Sequence, residues 1–198
     1  GRVVAAASEP GRVVTNGMSQ YSRKEFNANA GFVVGIDPER DYPGHPLAGI
    51  ELQRRLESQA FVAGGSNYQA PGQKVGDFLV GRASTEFGEV LPSYKPGVHL
   101  TDLSECLPDF VIEAMREALP VFGRQIKRYD HPDAMMTGVE TRTSSPIRIT
   151  RGKDLQSLNT QGLYPAGEGA GYAGGILSAA IDGIKIAEAV AKELADVT

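Results

Sequence analysis

The sequence predicts a mixed fold, α+β grading into α/β, and three features predict it. Short apolar runs bounded by turn residues recur near both ends of the chain, as strands do. Val111, Met115, Ala118 and Phe122 recur at spacings of four and three, an amphipathic helical stripe. The third feature is the segment Gly162-Leu163-Tyr164-Pro165-Ala166-Gly167-Glu168-Gly169-Ala170-Gly171-Tyr172-Ala173-Gly174-Gly175-Ile176. It reads as a short apolar strand, a tight turn with one acid, a run of small residues and a helix start. Small residues let backbone N–H groups approach a ligand closely, and a helix N-terminus offers roughly half a positive charge. A phosphate or an electron-rich ring edge suits such a place.

Taken in order, Val3–Ala7 and Val13–Thr15 read as two strands joined at the turn Glu9-Pro10-Gly11. Thr15 to Tyr21 is a polar loop, and Phe32–Ile36 is a buried strand ended by Asp37-Pro38. Leu47–Val62 is helical, with Leu52 and Leu56 on one face and Gly64-Gly65 as its stop. From Ser66 to Pro96 the chain is rich in Gly, Pro and Gln, with a short helix at Val75–Val80. A helix over Pro108–Phe122 starts well on a proline, whereas Pro120 should kink or restart it. Met135–Val139 and Pro146–Thr150 read as strands, Ile147 and Ile149 alternating with Arg148. The last helix, Gly175–Asp196, would be roughly 33 Å long at ~1.5 Å per residue. Its expected core stripe is Ile176, Ala180, Ile184, Ala187, Ala191 and Leu194.

Composition narrows the function classes. With 198 residues, 41% hydrophobic and 22% charged, the chain has the balance of a soluble globular protein and room for one sizeable core or two small ones. A net charge of −4 without a basic block argues against nucleic acid as partner. No apolar run approaches the ~20 residues of a membrane-spanning helix. Cys106 is the single cysteine, which fits a reducing cytoplasmic setting and leaves no redox-active pair. A chain that starts inside a hairpin, at Gly1-Arg2-Val3-Val4, reads as a piece of a longer protein.

Gly169-Ala170-Gly171-Tyr172-Ala173-Gly174 satisfies G-x-G-x-x-G, yet a dinucleotide fingerprint needs a following strand with an acid about 20 residues on. The stretch after Gly174 reads as helix throughout, and the acid at that distance, Glu193, lies in its body. The fingerprint fails on context. The order G-L-Y-P-A-G-E, small residues, Gly-Gly and Ile-Leu-Ser-Ala-Ala instead resembles the C-terminal flavin motif of two-dinucleotide-binding-domain flavoproteins. There the acid accepts a ribityl hydroxyl of FAD, and the helix N-terminus faces the pyrimidine edge of the isoalloxazine.

Further blocks make the resemblance more specific. Thr15-Asn16-Gly17-Met18-Ser19, Asn27-Ala28-Asn29-Ala30 and Gly138-Val139-Glu140-Thr141-Arg142-Thr143-Ser144-Ser145-Pro146, with the Glu168 motif, run in order along nearly the whole chain. Together they resemble the uncharacterised bacterial FAD-dependent dehydrogenases, also called NAD(FAD)-utilising dehydrogenases. The resemblance implies a glutathione-reductase-type parent whose N-terminal βαβ unit holds the ADP half of FAD. That unit is absent here. The implied division is a middle substrate or insertion domain at residues 1–134 and the closing piece of the FAD-binding domain at 135–198. Without the pyrophosphate and adenosine contacts, weak or no FAD binding is expected of this chain alone.

By the same resemblance Gly167, Glu168, Gly174, Gly175 and Ile176 are cofactor-binding candidates, with Thr141, Arg142 and Thr143 from the G-V-E-T-R-T-S-S-P block. Arg142 is a fixed cation suited to negative charge on the flavin ring or to an anionic substrate. Asn16, Ser19, Tyr21, Asn29 and Arg142 are candidates for a pocket binding a small-molecule substrate, although Asn and Ser are also common loop formers. No residue is an obvious catalytic acid or base. Asp130-His131-Pro132-Asp133 reads as a turn rather than a metal site, and no metal is expected. The expected partners are the missing N-terminal half and, once its faces are bared, a second copy in a homodimer. The alternative reading is a non-catalytic ligand- or protein-binding module with a vestigial flavin fold, whose signature is a colourless parent.

Overall fold

The computed structural model describes residues 1–196 and divides the chain into two compact units. The first is Gly1–Asp37 with Leu52–Thr141, and the second is Pro38–Glu51 with the residues from Arg142 onward.

In the first unit, β1 (Arg2–Ala5) pairs antiparallel with β2 (Thr15–Met18), Arg2 opposite Met18 and Ala5 opposite Thr15. The second strand therefore lies later than the expected Val13–Thr15, inside the stretch read as a polar loop. Val13 and Val14 are each only 1% exposed. The Val13 N–H donates to the Glu57 carbonyl (3.1 Å), and Ala6 N–H donates to the Val14 carbonyl. Burial takes the two valines, and the ladder proper forms on Thr15–Met18, of which only Thr15 is buried.

A second sheet has the order β4-β3-β5, with β3 (Ala70–Lys74) parallel to β4 (Val98–Leu100) and antiparallel to β5 (Met135–Thr137). The central strand is Ala-Pro-Gly-Gln-Lys, a composition that disguises it. A Cβ on Gly72 would lie 2.3 Å from Val98 Cγ1 and 3.1 Å from the Met136 carbonyl, so neighbours close in from both sides. Gln73, fully buried, donates to the Arg82 carbonyl (2.7 Å) and accepts from Leu103 N–H (2.9 Å), which satisfies its amide.

Apart from a single turn at Pro38–Asp41, where none was expected, the helices fall close to expectation. They are α1 (Pro38–Asp41), α2 (Ala48–Ala63), α3 (Val75–Leu79), α4 (Asp109–Gln125) and α5 (Ile176–Asp196). Gly65 at φ +88° ends α2 as a left-handed cap. Val111, Ile112, Met115 and Leu119 bury one face of α4 against Phe78, Leu103 and Val139. Pro120 neither stops nor restarts α4, which runs unbroken to Gln125. Pro120 has no N–H to give to the Arg116 carbonyl one turn back, and the buried apolar face holds the helix together across that gap.

Three expected strands do not form. Phe32–Ile36 is irregular: the Phe32 ring stands edge-on to Phe122 (5.7 Å) and Tyr129 (6.5 Å), while Val33 is 60% exposed. By contrast, the expected Met135–Val139 does form a strand, β5, as far as Thr137. Pro146–Thr150 and the apolar start of the glycine motif carry no ladder, and the one isolated bridge of the described residues joins Arg151 to Ser157. An apolar run records the wish for burial; a strand also needs a neighbour with matching N–H and C=O groups.

The α5 stripe is the largest reversal. Ile176, Ile184 and Leu194 are 85, 61 and 66% exposed, and Ala180, Ala187 and Ala191 are exposed with them. The covered face carries Asp182, with Ala179, Gly183, Ile186 and Val190 half-buried. Among the described residues no helix is long and apolar enough to cross a membrane.

Candidate functional site

The site is built on the turn that leads into α5. Gly167 (φ +64°) and Gly171 (φ +80°) take left-handed conformations, and the chain closes on itself through Gly171 N–H to the Glu168 carbonyl (2.9 Å) and Tyr172 N–H to the Gly167 carbonyl (3.0 Å). A Cβ on Gly171 would lie 2.6 Å from the Ile147 carbonyl oxygen, so backbone packs directly on backbone. Glu168 and Gly169 face solvent, and a Cβ on Gly169 would meet nothing within 4 Å. Gly174 and Gly175 are exposed as well.

Helix α5 starts openly. The Gly175 carbonyl accepts the first helical bond from Ala179 N–H (2.9 Å), and Ser178 Oγ accepts from Gly175 N–H (3.1 Å). First-turn N–H groups have no partner inside their own helix, so Ile176 and Leu177 present theirs at the helix end. The end carries the positive pole of the helix.

The G-V-E-T-R-T-S-S-P block meets this turn through its second half. Ser145 Oγ donates to the Gly169 carbonyl (3.2 Å), and the nearest atoms to a Cβ on Gly174 are the Thr143 carbonyl (3.8 Å) and Ser144 Oγ (3.9 Å). Thr143 and the glycine run, distant in sequence, therefore share one surface. Arg142 is exposed beside them in the chain. Thr141 belongs to the first unit: its hydroxyl donates to the buried Glu57 carboxylate (2.9 Å) and its carbonyl accepts from Gln53 Nε2 (2.8 Å). Those bonds occupy Thr141 with anchoring. The Glu140 carboxyl lies near Gly31, and partial desolvation pushes it above the usual carboxylate range.

The substrate-pocket candidates Asn16, Ser19 and Tyr21 stand exposed on β2 and the loop after it. Asn29 spends its amide on the hairpin, donating to the carbonyls of Arg2 (2.9 Å) and Met18 (3.4 Å). A separate open apolar hollow of about 310 Å³ lies among Phe32, Val33, Phe122, Ile126 and Tyr129. Burial raises the Cys106 thiol to about 12, which keeps it neutral and unreactive. Among the described residues no group of three or more His, Cys, Asp or Glu side chains is placed to hold a metal.

Sequence reasoning missed one cluster. Arg151 makes two bonds to Asp182, Nη1 to Oδ2 at 2.9 Å and Nη2 to Oδ1 at 2.6 Å. Nη1 also donates to the Pro165 carbonyl (2.7 Å), and Gly167 N–H donates to Asp182 Oδ2 (2.8 Å). Arg151 lies 3.8 Å over the Tyr172 ring, and Arg148 lies 4.4 Å from the same centroid. The signal available in the sequence was Asp182 itself, the one acid in Ile176-Leu177-Ser178-Ala179-Ala180-Ile181-Asp182-Gly183-Ile184.

The Arg151 hydrogen bonds, then the Gly167 N–H, hold Asp182 down at about 2. Its folded value is below the ordinary ~3.9, so its contribution to stability is complete above that value and disappears as pH falls toward 2. Asp182→Asn is expected to lower stability at neutral pH and to flatten its decline between about pH 4 and pH 2. Denaturant midpoints at a series of pH values check this, and an unchanged acid slope would count against the pair.

Two comparisons bear on the site. Residues 1–143 match the family described as FAD-dependent protein, C-terminal domain-like. An uncharacterised protein of Clostridium beijerinckii is 56% identical over 188 residues, covering 95% of this chain and 35% of that relative. The chain thus spans little more than a third of the length of the curated relative it matches. The Glu168 turn lies outside the family match.

Proposed function

Because this chain belongs to the FAD-dependent protein, C-terminal domain-like family, we propose that it is part of a longer flavin-dependent oxidoreductase, the parent, and supplies the substrate side and the C-terminal contacts of its FAD. The observation that carries the reading is the meeting of Thr143–Ser145 with the open glycine run at the start of α5. These residues fit a flavin. Glu168 has an exposed carboxylate that would accept a ribityl hydroxyl, Gly169 and Gly174 carry no side chain that would obstruct a flat ring, and the positive pole of α5 would favour its electron-rich edge.

FAD, when bound, supplies the hydride or electron transfer. The chain's own part is to bind and orient. Gly174, Gly175 and Ile176 set the backbone distance, Thr143 borders the same surface, and Arg142 is the cation for an anionic substrate or ring. The parent would be a soluble dehydrogenase working in the cytoplasm on a small-molecule substrate. For the isolated chain we expect FAD binding weaker than low micromolar, since the resemblance assigns the pyrophosphate and adenosine contacts to the N-terminal βαβ unit of the parent.

The alternative is a non-catalytic module with a vestigial flavin fold, and the bare apolar face of α5 is the observation that favours it. The visible spectrum of the parent, beside Glu168→Ala, separates the two. A flavin band that weakens by roughly tenfold or more in affinity is expected, since a hydrogen bond to a charged group is worth about 1.5–3 kcal/mol. A colourless parent that ignores added FAD would leave the module reading.

A further inference from the structure

We propose that Arg151 and Asp182 are positioning residues for the flavin-side turn, fixing where Glu168 stands against α5 without touching the cofactor. The proposal rests on the flavin reading above. The pair grips the backbone just ahead of Glu168 at two points, the Pro165 carbonyl through Arg151 and the Gly167 N–H through Asp182. Asp182 sits in the second turn of α5, so the grip sets the turn's position against that helix.

Arg151 also reaches the far end of the loop. Its backbone N–H donates to Tyr172 Oη (3.0 Å), its guanidinium covers the Tyr172 ring, and Tyr172 N–H returns to the Gly167 carbonyl. The loop from Gly167 to Tyr172 is thereby held at both ends by one side chain and its acid. Glycines at 167, 169 and 171 would otherwise leave it many conformations, and ordering them at each binding event costs about 1–2 kcal/mol per residue. A clamp that orders the loop beforehand removes that cost from FAD binding.

The chemistry explains the residue types. Nη1 serves two acceptors and Nη2 a third, all within one planar fork that a lysine ammonium does not reproduce. Both oxygens of Asp182 are engaged, by Arg151 and by Gly167 N–H, and the residue is 9% exposed, so the carboxylate serves the turn rather than a ligand.

The test uses the parent with Asp182→Asn, Arg151→Lys, Glu168→Ala and the double variant Asp182→Asn/Glu168→Ala. FAD is titrated into each apoprotein by flavin fluorescence, and the visible circular dichroism of the bound flavin is recorded. We expect Asp182→Asn to weaken FAD roughly tenfold and to change the dichroic band, as loss of a charged hydrogen bond does. Arg151→Lys, which keeps the charge, should fall between it and the unaltered protein. The double variant should bind about as Glu168→Ala does, because both act through one contact. Unchanged affinity and dichroism in Arg151→Lys and Asp182→Asn, with Glu168→Ala impaired, would overturn the clamp alone. Additive losses in the double variant would overturn it too. Full affinity in Glu168→Ala overturns the flavin reading, and the clamp with it. Should Asp182→Asn fail to fold by far-ultraviolet dichroism, Arg151→Lys carries the decision.

Discussion

Gly171→Ala is expected to dislodge the Glu168 turn, while Gly169→Ala two residues away is expected to leave it in place. A side chain at Gly171 must hold φ near +80°, at roughly 1–2 kcal/mol for an L-residue. Its Cβ must also displace backbone, because the Ile147 carbonyl oxygen would lie at 2.6 Å and Arg148 Cα at 3.0 Å. Overpacking of that kind adds about 1–3 kcal/mol, and backbone has fewer ways to yield than a side chain. The Ile149 N–H to Ala170 carbonyl bond (3.2 Å) ties the same two segments and would open with the shift. Gly169 has open space, so an added methyl there should stay within about 0.5 kcal/mol. The melting temperature of the isolated chain and the flavin-to-protein absorbance ratio of the parent read the two effects separately. Equal behaviour of the two variants would mean that the turn is not braced by Ile147 and Arg148.

The contrast also shows which parts of this chain were legible in its sequence. Helices were, because their signals are local: Leu52 and Leu56 one turn apart, Gly64-Gly65 as a stop, and Val111, Met115 and Phe122 along one face. Strands were legible only in part, at Val3–Ala5 and Met135–Thr137, because pairing is a relation between distant segments. Ala70–Lys74 becomes the centre of a sheet despite a Pro and a Gly, since Val98 and Met136 close in on Gly72. Phe32–Ile36 has the apolar pattern of a strand and lacks a neighbour to pair with.

The candidate site divides along the same line. The Glu168 turn could be read from six glycines and one acid between Gly162 and Ile176. Its adjacency to Thr143–Ser145 was implied only by resemblance, and the structure brings the two together within one compact unit. The Arg151–Asp182 clamp was invisible because its bonds run to main-chain atoms of Pro165 and Gly167, which leave no mark on residue type.

Lysines placed together at Leu177, Ile181 and Ile184 are expected to have opposite effects on the isolated chain and on the parent. These positions form one row of α5, four and three apart, and are 77, 54 and 61% exposed. The row takes in Ile184 of the stripe that the sequence marks for burial and two further apolar residues beside it, and the chain covers only 35% of the relative it resembles at 56% identity. We propose that the rest of the parent covers the row. In the isolated chain the row is free to meet a second copy, so concentration-dependent association by light scattering should fall away in the triple variant, without loss of helix content. In the parent each residue would forfeit about 1.5–3 kcal/mol of burial and leave a charge in an apolar contact. Three such losses rival the 5–15 kcal/mol that holds a typical domain folded, so the parent should aggregate or purify without flavin. A parent that tolerates all three lysines with its spectrum intact would mean that α5 keeps this face in water. The stripe would then be an outward docking surface, and the binding-module reading would gain what the flavin reading lost.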